Sequence, residues 1–279
     1  MRIIRVDRFD DPRLADYRSV SDGELLRRRN RFVAEGRLVV GRLLDADHRV
    51  ESLLINEASF RALEAPLSRL PQDVPVYICD TDEFSAITGF NLHRGCLALA
   101  ERPLDRSFAD VVRGAELLLV LEGVADPDNV GSAFRNAAAF GASVALSEAC
   151  CDPLYRKAIR TSMGSVLRTP YARMSDWPHD LAALKNEGFT IVALTPHRDA
   201  IDLPTCARRQ PRPSTTSGSP ELAEGHQRLA LLVGSEGQGL TPAAEAMADV
   251  CVRIPIRADV DSLNLATATG IALYHFANP

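Results

Sequence analysis

The chain has 279 residues, 46% hydrophobic and 25% charged, the balance of a soluble globular protein with room for one large domain or two ordinary ones. No run approaches the roughly 20 apolar residues of a membrane span, and the N-terminus has no long apolar signal core, so a cytoplasmic protein without membrane association is expected. The formal net charge of −5 does not advertise a nucleic-acid binder.

Residues 1–104 read as a small α/β unit. Ser21-Asp22-Gly23-Glu24 has a hydroxyl with an acid three residues on, the capping-box pattern that starts a helix. Arg27-Arg28-Arg29-Asn30-Arg31 is the one dense basic cluster in a chain whose only lysines are Lys157 and Lys185. It is either a phosphate contact or a solvated helix face. Residues 32–44 mix charged and apolar side chains, and strand-length apolar runs follow at 52–55, 74–78 and 96–100. Residues 105–115 are polar and charged, a linker or bridging helix.

From Glu116 the pattern changes, and 116–279 reads as a second domain. Leu117-Leu118-Leu119-Val120-Leu121 is a continuous apolar run of the kind found in parallel strands covered on both faces. A loop and a helix over 130–140 follow, stopped by Gly141 at the position after the cap, then a strand at 143–146. Helices at 153–167 and 181–187, strands at 190–194, 229–233 and 252–256, and a last helix from 262 to 275 complete an α/β fold with a mostly parallel, doubly wound sheet. Residues 205–227, with Pro211, Pro213, Pro220 and a Ser/Thr run, break this rhythm and read as a mobile insertion. The six cysteines are scattered, with no C-x-x-C and no histidine at zinc spacing, which predicts free thiols and no metal.

Three segments could carry chemistry. Asp126-Pro127-Asp128-Asn129-Val130-Gly131 leaves the carboxyl end of a buried strand, where open α/β sheets place their ligands. Asp128 or Asn129 can cap the following helix, and Arg135, one turn beyond Gly131, could grip a phosphate in fork geometry. Gly234-Ser235-Glu236-Gly237-Gln238-Gly239 packs three glycines into six residues, which implies positive φ angles or a close backbone approach. Thr241 is its plausible helix cap, with Pro242 at the first helical position. Ile254-Pro255 and Ser262-Leu263-Asn264 lead into the last helix, where Ser262 could be the N-cap and Asn264 a first-turn polar residue. Taken singly these are a capped helix, a structural turn and another helix start. A dinucleotide-binding enzyme should carry its glycine-rich turn after the first strand of the domain, and this one lies near the other end. A serine hydrolase wants G-x-S-x-G, and Ser235 has the wrong spacing.

Together, in this order, the three segments resemble the motifs of the SpoU/TrmH family of knotted RNA 2'-O-ribose methyltransferases. Lys157-Ala158-Ile159-Arg160-Thr161-Ser162-Met163-Gly164-Ser165 is similar to the family's segment between its first and second motifs. Arg31-Phe32-Val33-Ala34-Glu35-Gly36 and Arg94-Gly95-Cys96-Leu97-Ala98 look like its N-terminal substrate-binding domain, whose fold is like that of RNA-binding ribosomal proteins. The resemblance implies a deep C-terminal trefoil knot, an exception to the rule against knots. It also implies S-adenosyl-L-methionine as cofactor, an RNA substrate, and a homodimer whose active site draws on both subunits. Carried onto this chain, Thr195, Gly234, Gly239, Ile254 and Leu263 would hold the cofactor, and Asn129, Arg135, Glu236, Ser262 and Asn264 would form the polar catalytic set. The family commonly continues Ser-Leu-Asn with Val-Ser, whereas Leu265-Ala266 stands here; the triplet itself is intact. The accessory N-terminal domain favours ribosomal over transfer RNA. The alternatives are a tRNA 2'-O-methyltransferase and a non-catalytic RNA-binding or assembly factor of the same fold.

Overall fold

A computed structural model of the chain describes residues 1–8, 10–18, 21–80, 95–207 and 228–278. They form two compact units, one of Met1–Leu104 with Asp152–Arg168, the other of Asp105–Cys151 with Thr169–Pro279. Residues 152–168 thus group with the N-terminal elements and not with the second domain in which their place in the sequence puts them. Of the expected insertion at 205–227, only 205–207 lie among the described residues, in the short helix Leu203–Ala207.

The first unit is built on a five-stranded sheet of β1 (Arg2–Arg5), β2 (Arg31–Glu35), β3 (Val50–Ile55), β4 (Pro75–Ile78) and β5 (Cys96–Glu101), in the order β1-β4-β3-β5-β2. The first two pairings are parallel and the last two antiparallel. Leu14, Leu25, Val33, Leu54 and Leu97 form a buried core on it. Tyr17 is buried in the same cluster, and its hydroxyl shares a 2.7 Å hydrogen bond with Ser52, so the phenol is not left unsatisfied. Burial pushes its pKa up. Ser21 caps the helix Asp22–Arg28 by accepting from the Glu24 backbone N–H. Within the basic cluster, Arg29 pairs with Asp16 and Glu24, and Arg31 with Asp16 and Glu51. Much of that charge is therefore spent on local ion pairs, while Arg27 and Arg28 stay exposed on the last helical turn.

The helix predicted over 153–167 is two pieces, an α-helix Arg156–Thr161 and a 3-10 turn Ser165–Leu167. Met163 and Gly164 take positive φ angles between them, 54° and 81°, which no continuous right-handed helix allows. Tyr155 offers the α-helix no side-chain cap; instead Asp22 accepts from the Arg156 backbone N–H at 3.0 Å and from its guanidinium at 2.6 Å. Arg42 donates to the Met163 carbonyl, and His48 lies 2.9 Å from the Leu167 carbonyl. A Cβ at Gly164 would meet Arg42 and Val39 only at ordinary contact distance, so the φ of 81°, not crowding, is what favours glycine there. The helix packs on β2, the edge strand of the sheet.

The second unit is a seven-stranded sheet of β6 (Leu117–Glu122), β7 (Ser143–Leu146), β8 (Tyr171–Arg173), β9 (Phe189–Leu194), β10 (Ile201–Asp202), β11 (Arg228–Gly234) and β12 (Val250–Arg253). Its order is β10-β12-β9-β11-β6-β7-β8, and every pairing is parallel. The apolar runs of β6 and β11 are fully covered at the centre, with Leu118, Val120, Ala230 and Leu232 in one buried cluster with Ile191 and Ala145. β8 and β10 have no counterpart among the predicted strands, and residues 105–115 contain the helix Phe108–Arg113, capped by Ser107. The helix after β6 runs Pro127–Ala139 with Asp126, not Asp128 or Asn129, as its cap, and Gly141 follows its end at φ 69°. No helix among the described residues is long and apolar enough to cross a membrane.

Asp22→Ala should uncap the helix Arg156–Thr161 and leave the Arg156 N–H and guanidinium without their shared partner. The expected loss is about 1–3 kcal/mol in urea unfolding, with faster amide hydrogen exchange at 156–167. An unchanged exchange pattern would remove Asp22 from the support of this segment.

Candidate active site

Parallel strands end at a common edge, so the loops after β9, β11 and β12 leave the sheet side by side. They enclose a cavity of about 770 Å³, within the size range of pockets for nucleoside-sized ligands. Thr195, Gly234, Glu236, Gly239, Ile254, Ser262 and Leu263 all line it. Three stretches separated in sequence, around Thr195, over 234–239 and over 254–263, therefore meet on one concave surface.

The floor is the 234–239 loop. Gly239 has φ 68°, and its N–H donates to the Ser235 carbonyl at 2.9 Å, which folds the loop back on itself. The fold-back is so close that a Cβ on Gly234 would fall well inside contact distance of the Gly239 carbonyl and the Leu240 nitrogen. Gly234 is thus dictated by sterics, whereas a Cβ on Gly237 would meet nothing within 4 Å. Thr195 is buried, 5% exposed; its N–H donates to the Val252 carbonyl at 2.9 Å and its hydroxyl accepts from the His197 N–H at 3.4 Å. Both bonds fix the strand-to-loop transition at the end of β9.

Asn264 caps the last helix, which runs Leu265–Ala277, through a 2.9 Å bond from the Ala266 N–H to its side-chain oxygen. Ser262 is therefore not the cap, and the helix starts three residues later than expected. The Asn264 amide donates to Glu236 at 2.8 Å, and the Leu265 N–H reaches the same carboxylate oxygen at 3.3 Å. One carboxylate thus ties the glycine loop to the helix start and sits where the positive end of the helix dipole favours it. Asn129 and Arg135 stand apart from these residues: they lie on the helix Pro127–Ala139 and neither lines the cavity. Asn129 is buried, 8% exposed. Arg135 is exposed, and among the described residues its guanidinium makes no hydrogen bond or ion pair. Its neighbour Asn136 donates to the Ala266 carbonyl at 2.7 Å, clamping this helix to the last one where Gly270 admits the close approach.

Reading the sequence does not single out Glu122. It ends β6, is 6% exposed, and accepts from Trp177 Nε1 at 2.6 Å, the Thr241 N–H at 2.9 Å and the Thr241 hydroxyl at 2.8 Å. A lone carboxylate closing an apolar strand at the ligand edge of a parallel sheet is the signal that could have flagged it. His197, weighed from the sequence only as a base for a hydrolase, and Glu245, not singled out at all, both line the cavity with 3.5 Å between His197 Nε2 and the Glu245 carboxylate.

Two substitutions test this construction. Gly234→Ala should destabilise the second unit by about 2 kcal/mol in thermal unfolding through overpacking, while Gly237→Ala stays within about 0.5 kcal/mol of the parent. Equal effects would mean that the loop does not close on Gly234. Asn264→Asp should keep the cap on Ala266 but set a carboxylate against Glu236. The last helix should keep its hydrogen-exchange protection while residues 234–239 lose theirs; protection kept in both would dismiss the tie.

Residues 116–274 match the SpoU rRNA methylase family. A Mycobacterium bovis protein named as an uncharacterised tRNA/rRNA methyltransferase is 42% identical over 270 residues, covering 95% of this chain and 88% of its own length. The 23S rRNA guanosine 2'-O-methyltransferase RlmP of Bacillus subtilis is 25% identical over 276 residues, 97% of this chain and 98% of that one. Among solved structures, an rRNA methyltransferase from Sinorhizobium meliloti with bound AdoMet superimposes with a TM-score of 0.77 at 26% identity, over 98% of this chain and 97% of the other. With a family match over more than half its length and the site's three segments inside that match, the chain belongs to the SpoU rRNA methylase family.

Proposed function

We propose that this chain transfers a methyl group from S-adenosyl-L-methionine to a ribose 2'-hydroxyl of RNA, with ribosomal RNA preferred to transfer RNA. The observation that carries the reading is the convergence of three separated segments on one cavity, locked by the Glu236–Asn264 bond. Family membership and the rRNA activity in the names of the Bacillus and Sinorhizobium relatives support it.

The residues present fit the cofactor. Gly234 leaves backbone in place of a side chain on the cavity floor, while Ile254 and Leu263 add apolar wall, a combination suited to the purine and the aliphatic carbons of the cofactor. Thr195 and Gly239 would complete the hold through the backbone they fix. When bound, S-adenosyl-L-methionine supplies an electrophilic methyl group. The chain's own contribution is alignment of the ribose oxygen with that methyl and stabilisation of the charge that develops on the oxygen. A guanidinium stays protonated in proteins, so Arg135 would act as a grip on the neighbouring phosphate and a partner for the developing alkoxide, not as the proton acceptor. Glu236 and Asn264 would hold the loops and, with Ser262 and Asn129, orient the ribose.

Arg135 and Asn129 lie off the cavity of their own chain, and a homodimer in which one subunit's RNA-side helix serves its partner's cofactor site accommodates that separation. The deep trefoil knot within 116–279, the RNA-binding role of the N-terminal unit and a cytoplasmic location belong to the same proposal and rest on the family resemblance.

Incubation with methyl-labelled cofactor and total RNA, followed by mapping of 2'-O-methyl positions, tests the reading. Label on a ribose of ribosomal RNA is the expected result. Label on transfer RNA alone would move the substrate, and cofactor binding without transfer to any RNA would favour a binding or assembly factor. Arg135→Lys should lower kcat by roughly 10²-fold at unchanged cofactor affinity, because an ammonium cannot replace the two-pronged grip. Near-normal turnover would sink that role.

A further inference from the structure

We infer that Glu122 is the positioning residue of the cofactor loop, setting how tightly the cavity holds its ligand without touching the reacting atoms. The inference rests on the reading that the cavity binds S-adenosyl-L-methionine. Both ends of the loop are fastened to this one residue. In the parallel pairing of β6 with β11, Gly234 is the register partner of Glu122, which fixes the point where the loop leaves the sheet. Where the loop returns, Thr241 is held by the Glu122 side chain through its N–H at 2.9 Å and its hydroxyl at 2.8 Å. Every residue from Gly234 to Leu240 lines the cavity, and Glu122 does not. The loop is therefore closed across a single buried carboxylate.

The hydrogen-bond inventory leaves no slack. Thr241 Oγ1 accepts from the Ala244 N–H at 3.2 Å as the cap of the helix Pro242–Met247, so its own proton goes to Glu122. Trp177 Nε1 and the Thr241 N–H can only donate, and they reach different carboxylate oxygens. A carboxamide at this position has one acceptor oxygen. In either orientation its NH₂ group would face one of those two donors, so Glu122→Gln keeps the shape and breaks the pattern. The Gly234–Gly239 fold-back, drawn together by the Gly239 N–H to Ser235 carbonyl bond, is the cavity floor, and Glu122 anchors the two points from which it springs.

The test is isothermal titration of the full chain with S-adenosyl-L-methionine, run beside thermal unfolding and steady-state methylation of total ribosomal RNA. Glu122→Gln should weaken binding roughly tenfold and raise the KM for the cofactor by the same factor, with kcat at saturating cofactor changed less than about twofold. Thr241→Val, which removes the hydroxyl arm together with the cap on the Ala244 N–H but leaves the backbone bond to Glu122, should weaken binding by a smaller factor, Thr241→Ser should restore it, and the Glu122→Gln/Thr241→Val pair should be less than additive. Dissociation constants within about twofold of the parent for both Glu122→Gln and Thr241→Val, whatever their melting temperatures, would overturn the proposal; if Glu122→Gln does not fold, Thr241→Val and Thr241→Ser decide it. Failure of the parent chain itself to bind S-adenosyl-L-methionine would overturn the cofactor reading first, and this one with it.

Discussion

The constraint on which the second unit depends is that all seven strands run the same way. Parallel strands cannot be joined by short hairpins, so each connection must carry the chain back across a face of the sheet, and every strand then ends at the same edge. That edge collects the ends of β9, β11 and β12 with the loops that follow them. It requires strands buried on both faces, which the uninterrupted apolar runs of β6 and β11 satisfy. A site assembled there inherits the rigidity of the sheet while its walls remain loops.

Loops at such an edge are backbone-rich and must find partners for their polar groups. Here the partners are carboxylates. Glu236 collects the amide of Asn264 and the first N–H of the last helix, and Glu122 collects the root of the neighbouring helix. Each places negative charge at a helix start, where unpaired N–H groups and the helix dipole welcome it. Glycine does the complementary work: Gly234 removes a side chain where two strands of backbone must nearly touch. Charge at the helix starts and absence of bulk at the crossing together make a concave surface from segments that share little in sequence.

How much of this was legible in the sequence follows from the range of the forces involved. The α/β class and most long elements announce themselves through local patterns, as in the apolar run at Leu117 and the glycine after the helix Pro127–Ala139. The spacing of glycines around Glu236 marks a close approach before its partner is known. Short strands such as Tyr171–Arg173 and Ile201–Asp202 are too brief to carry a period, and the break at Met163 and Gly164 lies inside an apolar pattern that otherwise suits a helix. Glu122 stayed hidden because its donors come from 55 and 119 residues away. Whether Ser262 or Asn264 caps the last helix likewise depends on where Glu236 arrives, a matter of tertiary position and not of local preference.

The cap that Asp22 provides to the helix Arg156–Thr161 bears on how a protein of this kind can change over time. The first unit is not contiguous: a stretch bounded on both sides by second-unit strands belongs to its fold. A single recombination or cloning junction after Leu104 would export the sheet without the helix that packs on its edge strand and strand the helix without its cap. Exchange of this unit between relatives must therefore carry matched pairs of segments, Asp22 with its arginine and Arg42 with its carbonyl. Residues 1–104 and the β7–β8 crossover should drift together as one inherited piece.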